Sequence, residues 1–137
     1  MKNFVVDASY VAAFLLKETA AVEKSFSNIY KLSLSKSAAI YSSPILTSEL
    51  TNILRFKFLI IGEATDVLRA FFDLPILSYS LSSTDWEDIL KLSYELNTTA
   101  YDTSYHFVAQ LLGGTFLTCD KKYFQKAKKL GAVELIY

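Results

Sequence analysis

A chain of 137 residues with 52% hydrophobic and 20% charged residues is sized for one domain, spanning residues 1–137, that buries about two-thirds of the surface its unfolded form exposes. Fourteen Lys and Arg balance fourteen Asp and Glu, which excludes an overall basic field for polyanions or acidic membranes. One Cys and one His exclude an internal disulfide and a self-contained zinc site of nitrogen and sulfur ligands. No charge-free apolar stretch reaches the roughly 18 residues of a membrane span, and Phe4–Leu16 lacks the flanks of a leader peptide. The expectation is a soluble protein of the reducing cytoplasm with no membrane partner.

Asn3–Val6 reads as a buried strand, and Asp7 or Ser9 caps a helix carrying Val11, Ala12, Phe14 and Leu15. The spacing of Val22, Phe26, Ile29 and Tyr30 predicts a second helix from Thr19 to about Ser35. Ala38–Tyr41 is a short strand, and Ser42 or Ser43 with Pro44 opens a third helix that runs to about Leu59 and ends at Gly62. Glu63–Asp73 is helical, and Pro75 opens a strand over Ile76–Tyr79. A capping box at Thr84-Asp85-Trp86-Glu87 starts a helix through Leu96. Tyr101–Leu112 forms a further helix ended by Gly113-Gly114, and Thr115–Cys119 is a strand with Asp120 at its carboxyl end. Lys121–Leu130 is the last helix, stopped by Gly131 before a final strand over Val133–Ile136. Strands alternating with helices give an α/β fold: an open, mostly parallel sheet with right-handed crossovers and helices on both faces.

In such sheets ligands bind beyond the carboxyl ends of the strands, where the strand order reverses. Asp7 and Asp120 stand at two such ends, and Glu49 and Asp102 each lie near the start of a helix leaving that edge. Like charges a few ångströms apart repel by about 4 kcal/mol per pair at an effective dielectric near 20, so a cluster of acids calls for protons or cations. Hard ions such as Mg²⁺ or Mn²⁺ take oxygen ligands and bridge carboxylates to a phosphate, which makes phosphodiester hydrolysis the expected chemistry. Ser9 and Thr118, each two residues from one of these acids, can add a hydroxyl to the site, and Asn52 shares a helix face with Glu49.

Four segments carry a family resemblance: Phe4-Val5-Val6-Asp7-Ala8-Ser9, Thr47-Ser48-Glu49-Leu50-Thr51-Asn52, Tyr101-Asp102-Thr103-Ser104-Tyr105, and Phe116-Leu117-Thr118-Cys119-Asp120 with Lys121 to Phe124 behind it. In this order and spacing they resemble PIN-domain ribonucleases, in particular the VapC-type toxins of prokaryotic toxin–antitoxin pairs. The resemblance implies a three-layer α/β/α domain with a five-stranded sheet, metal-dependent endoribonuclease activity, frequent homodimers, and inhibition by a small cognate antitoxin. On it, Asp7, Glu49, Asp102 and Asp120 match the family's metal-binding acids. Thr103 and His106 depart from the small or aliphatic residues expected there, which bears on pocket shape.

Each residue also has a plainer role. Asp7 and Asp120 are good helix caps, Asp102 suits a first-turn dipole, and Glu49 alone is an ordinary solvated helix residue. His106 reads first as a buried structural residue and second as a general base or RNA contact. The run Lys121, Lys122, Lys126, Lys128 and Lys129 is a solvated face or a phosphate contact. Phe56–Ile61 holds more apolar surface than one helix face needs and points to a dimer or antitoxin interface, with core burial as the competing reading. Two other functions stay open: a non-catalytic binding module and, against the lack of a second acid after Asp7, an aspartyl-phosphate phosphotransferase. No glycine-rich phosphate loop, nucleophile elbow or zinc spacing is present.

Overall fold

The structure, a computed structural model, describes residues 1–137. Its first strand, β1 (Lys2–Val6), ends on the fully buried Val5 and Val6, and Asp7 turns the chain at once into α1 (Ala8–Leu15). There follow α2 (Ala20–Leu34), β2 (Ala38–Ser42), α3 (Leu46–Lys57), α4 (Ile61–Phe72), β3 (Ile76–Ser78), α5 (Ser83–Leu96), α6 (Ala100–Leu112), β4 (Thr115–Thr118), α7 (Lys121–Ala127), a 3-10 turn over Lys128–Leu130, and β5 (Val133–Leu135). No helix is long and apolar enough to cross a membrane.

All five strands are parallel, in the order β3-β2-β1-β4-β5. The fold is a three-layer α/β/α arrangement in which α1 packs on α2, α3 and α4, while α5 pairs with α6 and α6 lies across β1 and β4. Parallel strands buried on both faces need continuous apolar runs, which Val5-Val6 and Phe116-Leu117 provide. Phe116 stacks on Tyr105 of α6 with centroids 6.1 Å apart and meets Tyr123 of α7 edge-on at 5.8 Å. Burying each such aromatic contributes about 2 kcal/mol and fixes α6 and α7 against the sheet.

The turn into β4 requires glycine twice. Gly113 closes α6 in the left-handed region at φ 60°, and a Cβ on Gly114 would stand 2.3 Å from the carbonyl oxygen of Asn3. That close approach lets β4 seat beside β1 in the register Phe4 to Thr115 and Val6 to Leu117.

Several local expectations are corrected. Gly62 does not end the third helix; α3 stops at Lys57, where Phe58 is extended, and Gly62 is the second residue of α4. The break lets α4 fold back on α3, with Ala64 and Leu68 against the core that holds Leu54. Pro44 does not start α3, which begins two residues later behind an uncapped Ile45. The capping box of α5 is Ser82 with Asp85, not Thr84 with Glu87, because Ser82 has the extended backbone that a cap requires. The last helix is shorter than its pattern: after Ala127 the chain tightens into a 3-10 turn that ends at Gly131.

Candidate active site

The chain leaves β1 toward β2 and β3 on one side, and later returns to place β4 and β5 on the other, so the strand order reverses between β1 and β4. Their carboxyl ends carry Asp7, directly after β1, and Asp120, two residues past Thr118 at the end of β4. Asp7 is 5% exposed. Its Oδ1 accepts from the Tyr10 backbone N–H at 2.8 Å, as the cap of α1, and from the Ser9 hydroxyl at 2.7 Å. Its Oδ2 accepts from the Thr118 hydroxyl at 2.5 Å. Thr118 Oγ1 in turn accepts from the Asp120 N–H at 3.0 Å, and Ser9 Oγ accepts from the Cys119 N–H at 3.0 Å. Asp120 caps α7 through Oδ1, which accepts from the Tyr123 N–H at 3.0 Å. Asp7 thus caps α1 through Oδ1 while its Oδ2 is held by β4.

Asp102 lies in the first turn of α6, behind a Thr99 cap whose hydroxyl accepts its N–H at 3.1 Å. Glu49 lies in the first turn of α3 and accepts the Tyr105 hydroxyl at 2.5 Å, joining α3 to α6. Both acids are half-buried.

Electrostatics link all four. Burial pushes the Asp7 carboxyl up to about 7, against hydrogen bonds from Thr118, Ser9 and the Tyr10 N–H, with the charge of Asp102 adding to the rise. Burial also raises Asp102, helped by Asp120 and to a lesser degree by Glu49, while Thr99 opposes. The charge of Asp102 thus bears on Asp7, and the charges of Asp120 and Glu49 bear on Asp102. The Tyr105 hydroxyl is raised far above its usual range by burial and then by Glu49, so it stays a donor. Burial lifts the Cys119 thiol to about 12, which removes it as a thiolate nucleophile at neutral pH.

The acids meet as interacting charges, not as a closed cage: no three His, Cys, Asp or Glu side chains form a group that holds a metal ion by itself. The donor set nevertheless fits a hard divalent cation. Every donor is oxygen, the charge of Asp102 raises Asp7, the charges of Asp120 and Glu49 raise Asp102, and Mg²⁺ is ordinarily held by one or two carboxylates with water in its other positions. Ser9 and Thr118 sit in the network at Asp7, whereas Asn52 is exposed on α3 and outside it.

His106 is fully buried and makes two hydrogen bonds, Nδ1 with the Tyr123 hydroxyl at 2.8 Å and Nε2 with the Gly131 carbonyl at 2.7 Å. A carbonyl only accepts, so Nε2 carries the proton. Burial lowers the pKa and favours neutral imidazole, so Tyr123 donates to Nδ1. Its role is structural, joining α6, α7 and the turn before β5. Tyr105 and Tyr123 are the supporting residues that sequence reasoning did not single out; the three-residue step from Asp102 to Tyr105 was the available signal.

A family model for the PIN domain matches residues 4–130. No curated protein sequence matches the chain. Among solved structures it is similar to PAE2754 from Pyrobaculum aerophilum, with 21% identity, a TM-score of 0.65, and coverage of 91% of this chain and 86% of that one. It is similar to VapBC2 from Rickettsia felis bound to a DNA fragment from their promoter, at 14% identity and TM-score 0.71, covering 98% and 99%. VapC20 from Mycobacterium tuberculosis, a sarcin-ricin loop cleaving toxin, aligns at 15% identity and TM-score 0.67 with coverage of 98% and 99%. These likenesses concern the fold. Together with a family match running from β1 through the 3-10 turn, they lead to one conclusion: the chain belongs to the PIN-domain family.

Proposed function

We propose that this chain is a divalent-cation-dependent endoribonuclease acting through Asp7, Glu49, Asp102 and Asp120, and that it is the toxin half of a toxin–antitoxin pair. The observation that carries the reading is Asp7: a carboxylate 5% exposed, pushed up to about 7 by burial with the charge of Asp102 adding to the rise, at the point where the strand order reverses. Burying an acid against like charges lowers stability, and such arrangements concentrate at functional sites. VapC20, as a sarcin-ricin loop cleaving toxin, supports RNA as the substrate class.

In this reading the four acids hold Mg²⁺ or Mn²⁺. A bound cation of this kind supplies an activated water and offsets negative charge on the phosphate. Asp7 gives up its proton to serve as a ligand, so loading is favoured as pH rises through 7. Thr118 and Ser9 hold the two oxygens of Asp7 in place, and Tyr105 holds Glu49.

The partner surface lies elsewhere. Phe56, Leu59, Ile60 and Ile61 are all exposed around the turn from α3 to α4, an apolar run of the kind that marks an interaction surface. This supports a second copy of the chain or a small antitoxin there, and the VapBC complexes among the similar structures support the antitoxin.

Incubating the protein with structured and single-stranded RNAs in Mg²⁺, in Mn²⁺ and in chelator tests the activity. Cleavage in either ion and none in chelator is expected. Cleavage that ignores the metal and survives Asp7→Asn and Asp120→Asn overturns the mechanism.

A further inference from the structure

Beside Asp102 and Asp120 lies a cavity of about 400 Å³ with a single apolar residue in its lining. Asp102 of α6 and Asp120, the cap of α7, share this lining with Lys122 and Lys126, four residues apart on α7. Asn97, Thr98 and Thr99, from the turn between α5 and α6, complete the lining. A cavity of similar size between α2 and β5, about 420 Å³, is lined mainly by apolar residues and includes none of the four acids.

The five lysines after Asp120 are not equivalent. The Lys121 ammonium lies over the Tyr137 ring, 4.9 Å from its centre, and Lys128 Nζ donates to Gln125 Oε1 at 3.0 Å. Lys128 and Lys129 do not line the cavity. Lys126 Nζ donates to the Asn97 carbonyl oxygen at 2.7 Å, which fixes its ammonium at the rim and leaves two N–H donors for a ligand. The helix that carries both lysines is itself held: the Tyr123 hydroxyl donates to His106 Nδ1 on α6. The lysines of α7 and Asp102 of α6 therefore keep a set spacing.

We propose that this cavity is a seat for a backbone phosphate of single-stranded RNA next to the one that is cleaved, with Lys122 and Lys126 as its cationic groups. The inference rests on the nuclease reading above and adds a substrate contact to it. A polar basin lined by both acids and lysines suits an anion that is also tied to a cation at the acids, and it offers little to an apolar ligand. A chain of zero net charge with four acids at its site repels a polyanion unless cations stand beside them. Lys122 and Lys126 supply that local attraction.

The test compares Lys122→Gln/Lys126→Gln with Lys128→Gln/Lys129→Gln, which remove the same charge from the same stretch. Binding of a fluorescein-labelled single-stranded RNA ten nucleotides long is followed by anisotropy in chelator, from 50 to 200 mM KCl. The first pair is expected to weaken binding at least tenfold at the lowest salt and to flatten the slope of log K against log salt by about 1.4, two contacts at about 0.7 each. The second pair is expected to stay within twofold of wild type, and Lys122→Arg/Lys126→Arg to retain most of the affinity. In Mn²⁺ or Mg²⁺ the first pair is expected to raise KM and leave kcat within a few-fold. Equal losses in both glutamine pairs, or none in the first, overturn the proposal. Wild-type protein that cleaves RNA with metal while the first pair binds and cleaves normally removes the phosphate seat and leaves the nuclease reading. Protein that binds RNA through these lysines but never cleaves it keeps the seat and removes the nuclease.

Discussion

The Thr118 hydroxyl, at the end of β4, donates to Oδ2 of Asp7, the first residue beyond β1, and so ties the two strands at which the sheet order reverses. The same Oγ1 accepts the Asp120 N–H, so one side chain positions two acids. Thr118→Val keeps the shape but removes the donor to the buried Asp7 Oδ2 and the acceptor of the part-buried Asp120 N–H. We expect a loss of about 1–3 kcal/mol in urea unfolding and a fall in cleavage of roughly 10- to 100-fold. A variant with wild-type cleavage shows that this bond does not position Asp7.

Asp7 sets a pH dependence whose sign follows from its environment. Its carboxyl keeps a proton up to about 7 in the fold, whereas the unfolded chain releases it near the usual carboxylate value of about 3.9. Between those values the folded state binds more protons, so in chelator stability falls as pH rises from about 4 to 7 and is level beyond. The full shift corresponds to something on the order of 4 kcal/mol. His106 acts in the opposite sense: its lowered pKa costs stability as pH falls below about 6.5. That contribution cancels in the difference between wild type and Asp7→Asn. Thermal unfolding in chelator should therefore show the Asn variant gaining on wild type from pH 4 to 7.5 while losing cleavage. A difference that does not change with pH contradicts the assignment.

His106→Phe tests the buried pair behind α7. The ring fills the space, but the Tyr123 hydroxyl and the Gly131 carbonyl each lose a partner. A destabilisation of about 2 kcal/mol or more is expected by urea titration at pH 7.5. A change under about 0.5 kcal/mol would show that neither bond matters to the fold.

Two glycines make opposite predictions. At Gly114 a Cβ meets the Asn3 carbonyl oxygen at 2.3 Å, backbone that cannot move without displacing β1, so Gly114→Ala should destabilise by about 1–3 kcal/mol. Gly62 lies within α4 with nothing within 4 Å of an added Cβ, and Gly62→Ala should stabilise by about 0.5–1 kcal/mol. Differential scanning calorimetry on the two variants checks both signs.

What the sequence reveals and what it hides follow a physical division. Apolar runs and caps are local: Val5-Val6 before Asp7, Phe116-Leu117 before Asp120, and Gly113 after Leu112 each mark an element end that the structure contains. Gly62 misled because a glycine commonly follows a helix, whereas here the extended Phe58 makes the break and α4 absorbs the glycine. Ser82 and Thr84 both open an acceptable capping pattern, and only the observed backbone separates them. The bond from Tyr105 to Glu49 spans 56 positions and that from Tyr123 to His106 spans 17, so neither leaves a local trace. The strand-end and helix-start positions of the four acids could be read from the chain, but the effect of Asp102 on Asp7, and of Asp120 and Glu49 on Asp102, emerges only from the folded arrangement.

The most direct test of the four acids as one cation site is calorimetric titration of the metal-free protein with Mn²⁺ at pH 7.5, alongside Asp102→Asn. The account predicts saturable binding by wild type and at least a tenfold loss of affinity when the Asp102 charge is removed. Wild-type protein that binds no Mn²⁺, or Asp102→Asn that binds it as tightly as wild type, contradicts the claim.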